Sequence, residues 1–107
     1  MVKIVYIDVD GVESVVNARP DQSVMEAAVR NGVPGIVGEC GGMRACATCR
    51  AHVDVAWRPL VGPPGKDEQE MLDLFDDDQE GARLTCQIKV RMELDGLTLR
   101  TPKSQYP

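Results

Sequence analysis

Four cysteines carry the chemistry of this chain. Cys40, Cys46 and Cys49 follow one another as C-x5-C-x2-C, and 36 residues separate Cys49 from Cys86. Three thiols within a ten-residue run, C-G-G-M-R-A-C-A-T-C, can wrap one side of an inorganic core while a distant segment supplies the fourth ligand. Four thiolates are what a [2Fe–2S] cluster requires, and C-x4-C-x2-C with a remote fourth Cys is one established way of supplying them. One more residue between the first two ligands is the departure here.

Other uses of four cysteines fit less well. Disulfides belong to oxidising compartments, and the opening M-V-K-I-V-Y-I-D-V lacks the basic start, apolar stretch and cleavage site of a secretory signal. A reducing cytoplasm is therefore expected. Structural zinc commonly takes paired C-x2-C hooks, whereas Cys86 stands alone in L-T-C-Q-I. A thioredoxin-like pair at Cys46 and Cys49 leaves Cys40 and Cys86 without a purpose. A Rieske centre needs two histidines, and His52 is the single His of the chain; in A-H-V-D-V it reads as an ordinary strand residue. A [4Fe–4S] site favours tighter C-x2-C-x2-C spacing. Around the thiols, Gly41 and Gly42 permit close backbone approach. Ala45, Ala47 and Thr48 leave room to aim N–H groups at sulfur.

These ligands have to be held by the elements around them. Residues 2–9 are β-rich, Asp10-Gly11 is a hairpin turn, and residues 12–17 return. Ser23 and Glu26 form a capping box that opens a helix running to Arg30, closed by Asn31-Gly32. A strand is expected over about 50–56, a Pro/Gly-rich loop over 58–66 and a helix over 67–75. On that helix Met71, Leu72, Leu74 and Phe75 are expected inward, with Glu70, Asp73 and Asp77 outward. Glu68 falls on the apolar side, where the helix dipole favours a first-turn acid. Strands over about 84–86, 88–92 and 97–100 follow, with Asp95-Gly96 as a turn. Trp57, at a strand end, reads as a packing residue. Hairpin, packed helix and later strands together imply α+β architecture with a mixed sheet.

The chain has 107 residues, enough for one domain spanning 1–107 with a modest core. No apolar run approaches the length needed to cross a membrane. The formal charge is −5, and an oxidised four-thiolate cluster adds about −2. Nucleic acid is thereby disfavoured, and a basic protein partner is favoured. The acid is concentrated: Asp67, Glu68, Glu70, Asp73, Asp76, Asp77, Asp78 and Glu80 lie in one fourteen-residue window without Lys or Arg, eight of the seventeen acids. A charge run commonly marks only a solvated face. Beside a redox centre it also serves to steer brief encounters.

C-G-G-M-R-A-C-A-T-C followed by R-L-T-C-Q-I resembles the [2Fe–2S] ferredoxins of the adrenodoxin and putidaredoxin type. The likeness extends over nearly the whole chain. It takes in D-V-D-G from Asp8, N-G-V from Asn31, I-V-G-E-C up to Cys40, M-L-D-L from Met71 and E-L-D-G-L from Glu93. It implies a β-grasp fold with a cluster-binding loop. It also implies ligation by Cys40, Cys46, Cys49 and Cys86, the first two on the outer iron and the last two on the inner one. The family's acidic interaction helix corresponds to Glu70 and Asp73, with Asp67 and Glu68 beside them. Glu39, Arg44 and Tyr106 join the expected partner-facing set. Two departures stand out. The family often has His after the third ligand, where this chain has Arg50, and putidaredoxin itself ends in Trp, where this chain has Tyr106-Pro107.

The resemblance implies a monomeric one-electron carrier, not an enzyme, moving electrons from an FAD-containing ferredoxin reductase to a haem-thiolate cytochrome P-450 monooxygenase. A low potential is expected, on the order of −200 to −400 mV for four-thiolate ligation in an acidic protein. The same motif would serve a ferredoxin that feeds iron–sulfur cluster assembly. A zinc-stabilised binding module with an acidic docking helix is the alternative from another class, separable by metal and sulfide analysis. One His and no paired nucleophile and base argue against an active site.

Overall fold

The computed structural model describes residues 1–36, 49–74 and 81–102. Among the described residues five strands form one mixed sheet: β1 (Val2–Ile7), β2 (Glu13–Ala18), β3 (Arg50–Val53), β4 (Ala82–Leu84) and β5 (Leu97–Arg100), in the order β2-β1-β5-β3-β4. β1 pairs with β2 antiparallel and with β5 parallel, while β3 lies antiparallel to both β4 and β5. This is the α+β β-grasp arrangement.

The strands follow the two-residue period of their sequence. Val2, Ile4 and Tyr6 of β1 are buried, and Lys3 between them is exposed. Leu97 and Leu99 of β5 enter the same core, together with Val24, Met25, Ala27 and Ala28 of helix α1 (Val24–Arg30). Ser23 caps α1 with both arms of the capping box: Glu26 N–H donates to Ser23 Oγ at 3.0 Å, and Ser23 N–H donates to Glu26 Oε1 at 3.3 Å. The Tyr6 hydroxyl crosses from β1 to donate to Val24 O at 2.7 Å, tying sheet to helix inside the core. Trp57 is half-buried against that core, as expected.

Three segments differ from the sequence expectation. Residues 58–66 contain helix α2 (Arg58–Val61), with Pro59 in its first turn, where its missing N–H costs nothing. The residues that resist helix are the following Gly-Pro-Pro-Gly at 62–65. Residues 50–56 split into β3 and a 3₁₀ turn at Val55–Trp57. Around residues 88–92, Ile88 and Val90 are buried in strand-like alternation, but the backbone pairs with the entry to α1. Val24 N–H donates to Ile88 O at 2.8 Å, and Val90 N–H donates to Gln22 O at 2.9 Å. The expected strand is therefore a single bridge, Ser23 to Lys89, followed by a 3₁₀ turn at Met92–Leu94.

Helix α3 (Lys66–Leu74) packs on β4 through Glu68 and Leu72, one turn apart, with Met71 half-buried beside them. Leu74 corrects the expectation for this helix. It is 75% exposed, because two residues on from Leu72 is about 200° around an α-helix.

Candidate functional site

The β3–β4 ladder delivers two of the four cysteines to one place. Arg50 pairs with Leu84, Ala51 with Arg83 and His52 with Ala82. Continued by one position, this register sets Cys49 opposite Thr85. Thr85 N–H donates to Cys49 O at 3.0 Å, and the Thr85 hydroxyl donates to the same oxygen at 2.7 Å. Cys86 follows in a 3₁₀ turn, Thr85–Gln87, that ends the strand and redirects the chain. The expected strand over 84–86 thus lies two residues earlier, at Ala82–Leu84, and the ligand sits on the turn that follows it.

Both thiols are buried, Cys49 to 1% exposure and Cys86 to 7%. Hydrogen bonding with the Cys86 side chain, followed by burial, pushes the Cys49 thiol well above the usual thiol range. The Cys86 backbone N–H and the Thr85 side chain act in the opposite sense, favouring charge on the Cys49 sulfur. Burial of this kind disfavours a bare thiolate at Cys49, and a coordinated metal would supply the compensating charge. Donors aimed at sulfur, two thiols from remote segments and exclusion of water all fit a thiolate-ligated iron–sulfur cluster. Cys40 and Cys46 lie outside the described residues, as do Glu39, Arg44 and Tyr106.

The flank of this half-site is held by an internal ion pair. Arg83 Nε lies 2.6 Å from Glu68 Oε2, and Arg83 Nη2 lies 3.0 Å from Glu68 Oε1, a two-point contact. Glu68 Oε2 also accepts from Leu84 N–H at 2.8 Å, and Arg83 Nη1 donates to Gly62 O at 3.0 Å. Glu68 is 3% exposed. It is therefore no partner-facing acid, contrary to the expectation drawn from its charge. Its carboxylate is used internally to clamp α3 onto the strand leading to Cys86. Asp67, Glu70 and Asp73 are exposed on the same helix, and Gln69 Nε2 donates to Asp73 Oδ1 at 2.9 Å.

Gly81 opens β4 with φ of +83°, and its carbonyl accepts from Val53 N–H at 2.8 Å. A Cβ there would stand 2.8 Å from Val53 O. A glycine is what lets β4 start against β3 in this register. Thr85, Gln87 and Arg83 were all visible in R-L-T-C-Q-I, but nothing in that string states which atoms they bond.

Residues 7–91 match the model of the 2Fe-2S iron-sulfur cluster binding domain. The chain belongs to that family. Terpredoxin of Pseudomonas sp is 44% identical over 103 residues, covering 95% of this chain and 97% of its own. The crystal structure of a ferredoxin from Rhodopseudomonas palustris HaA2 matches with a TM-score of 0.91 at 42% identity, over 97% of this chain and 99% of that one. Putidaredoxin of Pseudomonas putida is 37% identical over 107 residues, covering 99% of this chain and all of its own. A structure of the covalent putidaredoxin reductase–putidaredoxin complex matches with a TM-score of 0.85 at 36% identity, over 92% and 96% of the two chains. This putidaredoxin-like ferredoxin is an electron carrier with a [2Fe–2S] cluster, not an enzyme. Among its described residues no helix is long and apolar enough to cross a membrane.

Proposed function

We propose that Cys40, Cys46, Cys49 and Cys86 are the four cluster ligands. We further propose that the protein, acting as one domain over residues 1–107, carries single electrons in the cytoplasm. Its donor is an FAD-containing NAD(P)H ferredoxin reductase and its acceptor a haem-thiolate cytochrome P-450 monooxygenase. The observation that supports this most strongly is the convergence of Cys49 and Cys86, buried and joined through Thr85, in a chain whose relative putidaredoxin is known in complex with its reductase.

When bound, the cluster takes up and gives back one electron. The chain's own part is to hold sulfur, exclude water and present a docking face. Cys49 is fixed at its carbonyl by two bonds from Thr85. Asp67, Glu70 and Asp73 offer exposed negative charge on α3, suited to a basic patch on a partner.

Two measurements test this reading. Iron and acid-labile sulfide should each be present at about two per chain, as the cluster formula requires. Cys86→Ser or Cys49→Ser should lose the cluster or replace its visible spectrum. Zinc without sulfide would overturn the ligand assignment. For the pathway, the protein is mixed with a reduced flavoprotein reductase and either a P-450 monooxygenase or a cysteine desulfurase with its scaffold. Electron-dependent monooxygenase turnover supports the reading. Turnover confined to cluster assembly moves the same chemistry to that pathway.

A further inference from the structure

The residue after the last cysteine has a side chain turned back onto it. Gln87 Nε2 donates to Cys86 Sγ at 3.3 Å, within the 3₁₀ turn that ends β4. Cys86 is 7% exposed, so bulk water does not simply replace this donor if it is removed. Two neighbouring backbone donors are committed elsewhere. Ile88 N–H donates to Thr85 O at 3.2 Å, and the Cys86 N–H favours charge on the Cys49 sulfur. The amide of Gln87 is thus a neutral donor placed on one particular sulfur in a water-poor setting, where such a bond has its greatest electrostatic effect.

We propose that Gln87 sets the reduction potential of this ferredoxin by donating its side-chain amide to Cys86 Sγ. The inference rests on Cys86 being a ligand. Reduction brings in one electron from the flavoprotein donor and no proton. The four-thiolate site therefore becomes more negative by one charge, part of which falls on the ligand sulfurs. A donor N–H stabilises the more negative state more than the less negative one, so the bond raises the potential. Gln87 acts here through a ligand sulfur. It is a positioning residue whose effect is read in the equilibrium, not only in a rate.

The test uses Gln87→Leu, which keeps bulk and loses the donor, and Gln87→Glu, which keeps shape and presents an acceptor. Both are measured as cluster-loaded proteins. The one-electron reduction constant should fall about tenfold for Gln87→Leu, equivalent to about 59 mV for a one-electron couple, and further for Gln87→Glu. The visible spectrum should remain that of four-thiolate ligation. In resonance Raman spectra, the Fe–S(Cys) band shift on transfer of the wild type to D₂O should be smaller in Gln87→Leu. A merely structural role would leave the D₂O response undiminished. An unchanged potential in a fully loaded Gln87→Leu overturns the inference. If that variant does not load, Gln87→Met is measured in its place and read by the same two criteria. Cys86→Ser separates the two levels: an unaltered spectrum there would remove Cys86 from the ligand set, whereas an altered one with a silent Gln87→Leu removes only the role of Gln87.

Discussion

Residue identity and residue duty part company at Glu68. By type it belongs with Asp67, Glu70 and Asp73, yet it is 3% exposed and bound at two points by Arg83. Removing one partner of a buried ion pair strands the other charge and costs about 3–5 kcal/mol. Glu68→Ala should therefore lower stability by that order in denaturant unfolding of the loaded protein. Glu70→Ala, on the exposed face of the same helix, should stay within about 0.5 kcal/mol of wild type. Equal effects from the two would show that the clamp contributes nothing special. The cluster was legible because the spacing of the four cysteines has few chemical meanings. Glu68 was misread because a helical pattern identifies the inward stripe but not the cation waiting there. Arg83, fifteen residues on, meets it only after β4 docks. Thr85 and Gln87 were hidden for a related reason: a hydrogen bond to a neighbour's carbonyl or sulfur leaves no periodic trace.

Among the elements, prediction succeeded where local chemistry decides the outcome. The capping box at Ser23 and Glu26, the turn at Asp95-Gly96 and β5 at Leu97–Arg100 all form as read. It failed where a segment's neighbour decides, as at residues 88–92, whose alternating pattern pairs with the entry to α1. The join between α1 and β1 carries a pH signature. Burial pushes the Tyr6 phenol far above its usual range, so the folded state keeps a proton that the unfolded chain releases near pH 10. The folded protein then binds more protons than the unfolded one, and stability falls as pH rises above about 10, at about 1.4 kcal/mol per pH unit for this one group. Tyr6→Phe should lower stability by about 1 kcal/mol at neutral pH, the worth of a typical hydrogen bond. It should also flatten the alkaline decline by that slope. Denaturant midpoints of both proteins between pH 8 and 12, as a range about the usual tyrosine pKa, make the comparison. Parallel curves would mean that Tyr6 ionises as freely as an exposed phenol.

For the whole molecule, charge distribution matters more than its total. The chain carries −5 before any cluster is counted, and α3 shows Asp67, Glu70 and Asp73 to solvent together with an exposed Leu74. An exposed apolar residue on a helix that also shows acids suits a contact that is found by charge and finished by a small dry patch. Glu70→Lys and Asp73→Lys should each slow reduction by the reductase about three- to tenfold at low salt, within the range that steering supplies. Wild-type rates should decline as ionic strength passes about 0.15 M, where the screening length shrinks to about 8 Å. Stopped-flow reduction across a salt series measures both. Rates indifferent to salt and to both reversals would reduce the acidic face to a solvated one.

The place of β5 in the sheet also bears on how the protein is made. It lies between β1 and β3, so the last strand of the sheet in chain order is the one that joins the β1–β2 hairpin to the β3–β4 pair. On a nascent chain all four cysteines emerge while those two halves are still separate, and the sheet closes only when residues 97–100 clear the ribosome. Long-range strand pairing is slow and leaves edges open while it waits. The β3–β4 ladder that brings Cys49 to Cys86 can thus form before the sheet is whole, and only its attachment to the β1–β2 hairpin waits for the last of the five described strands.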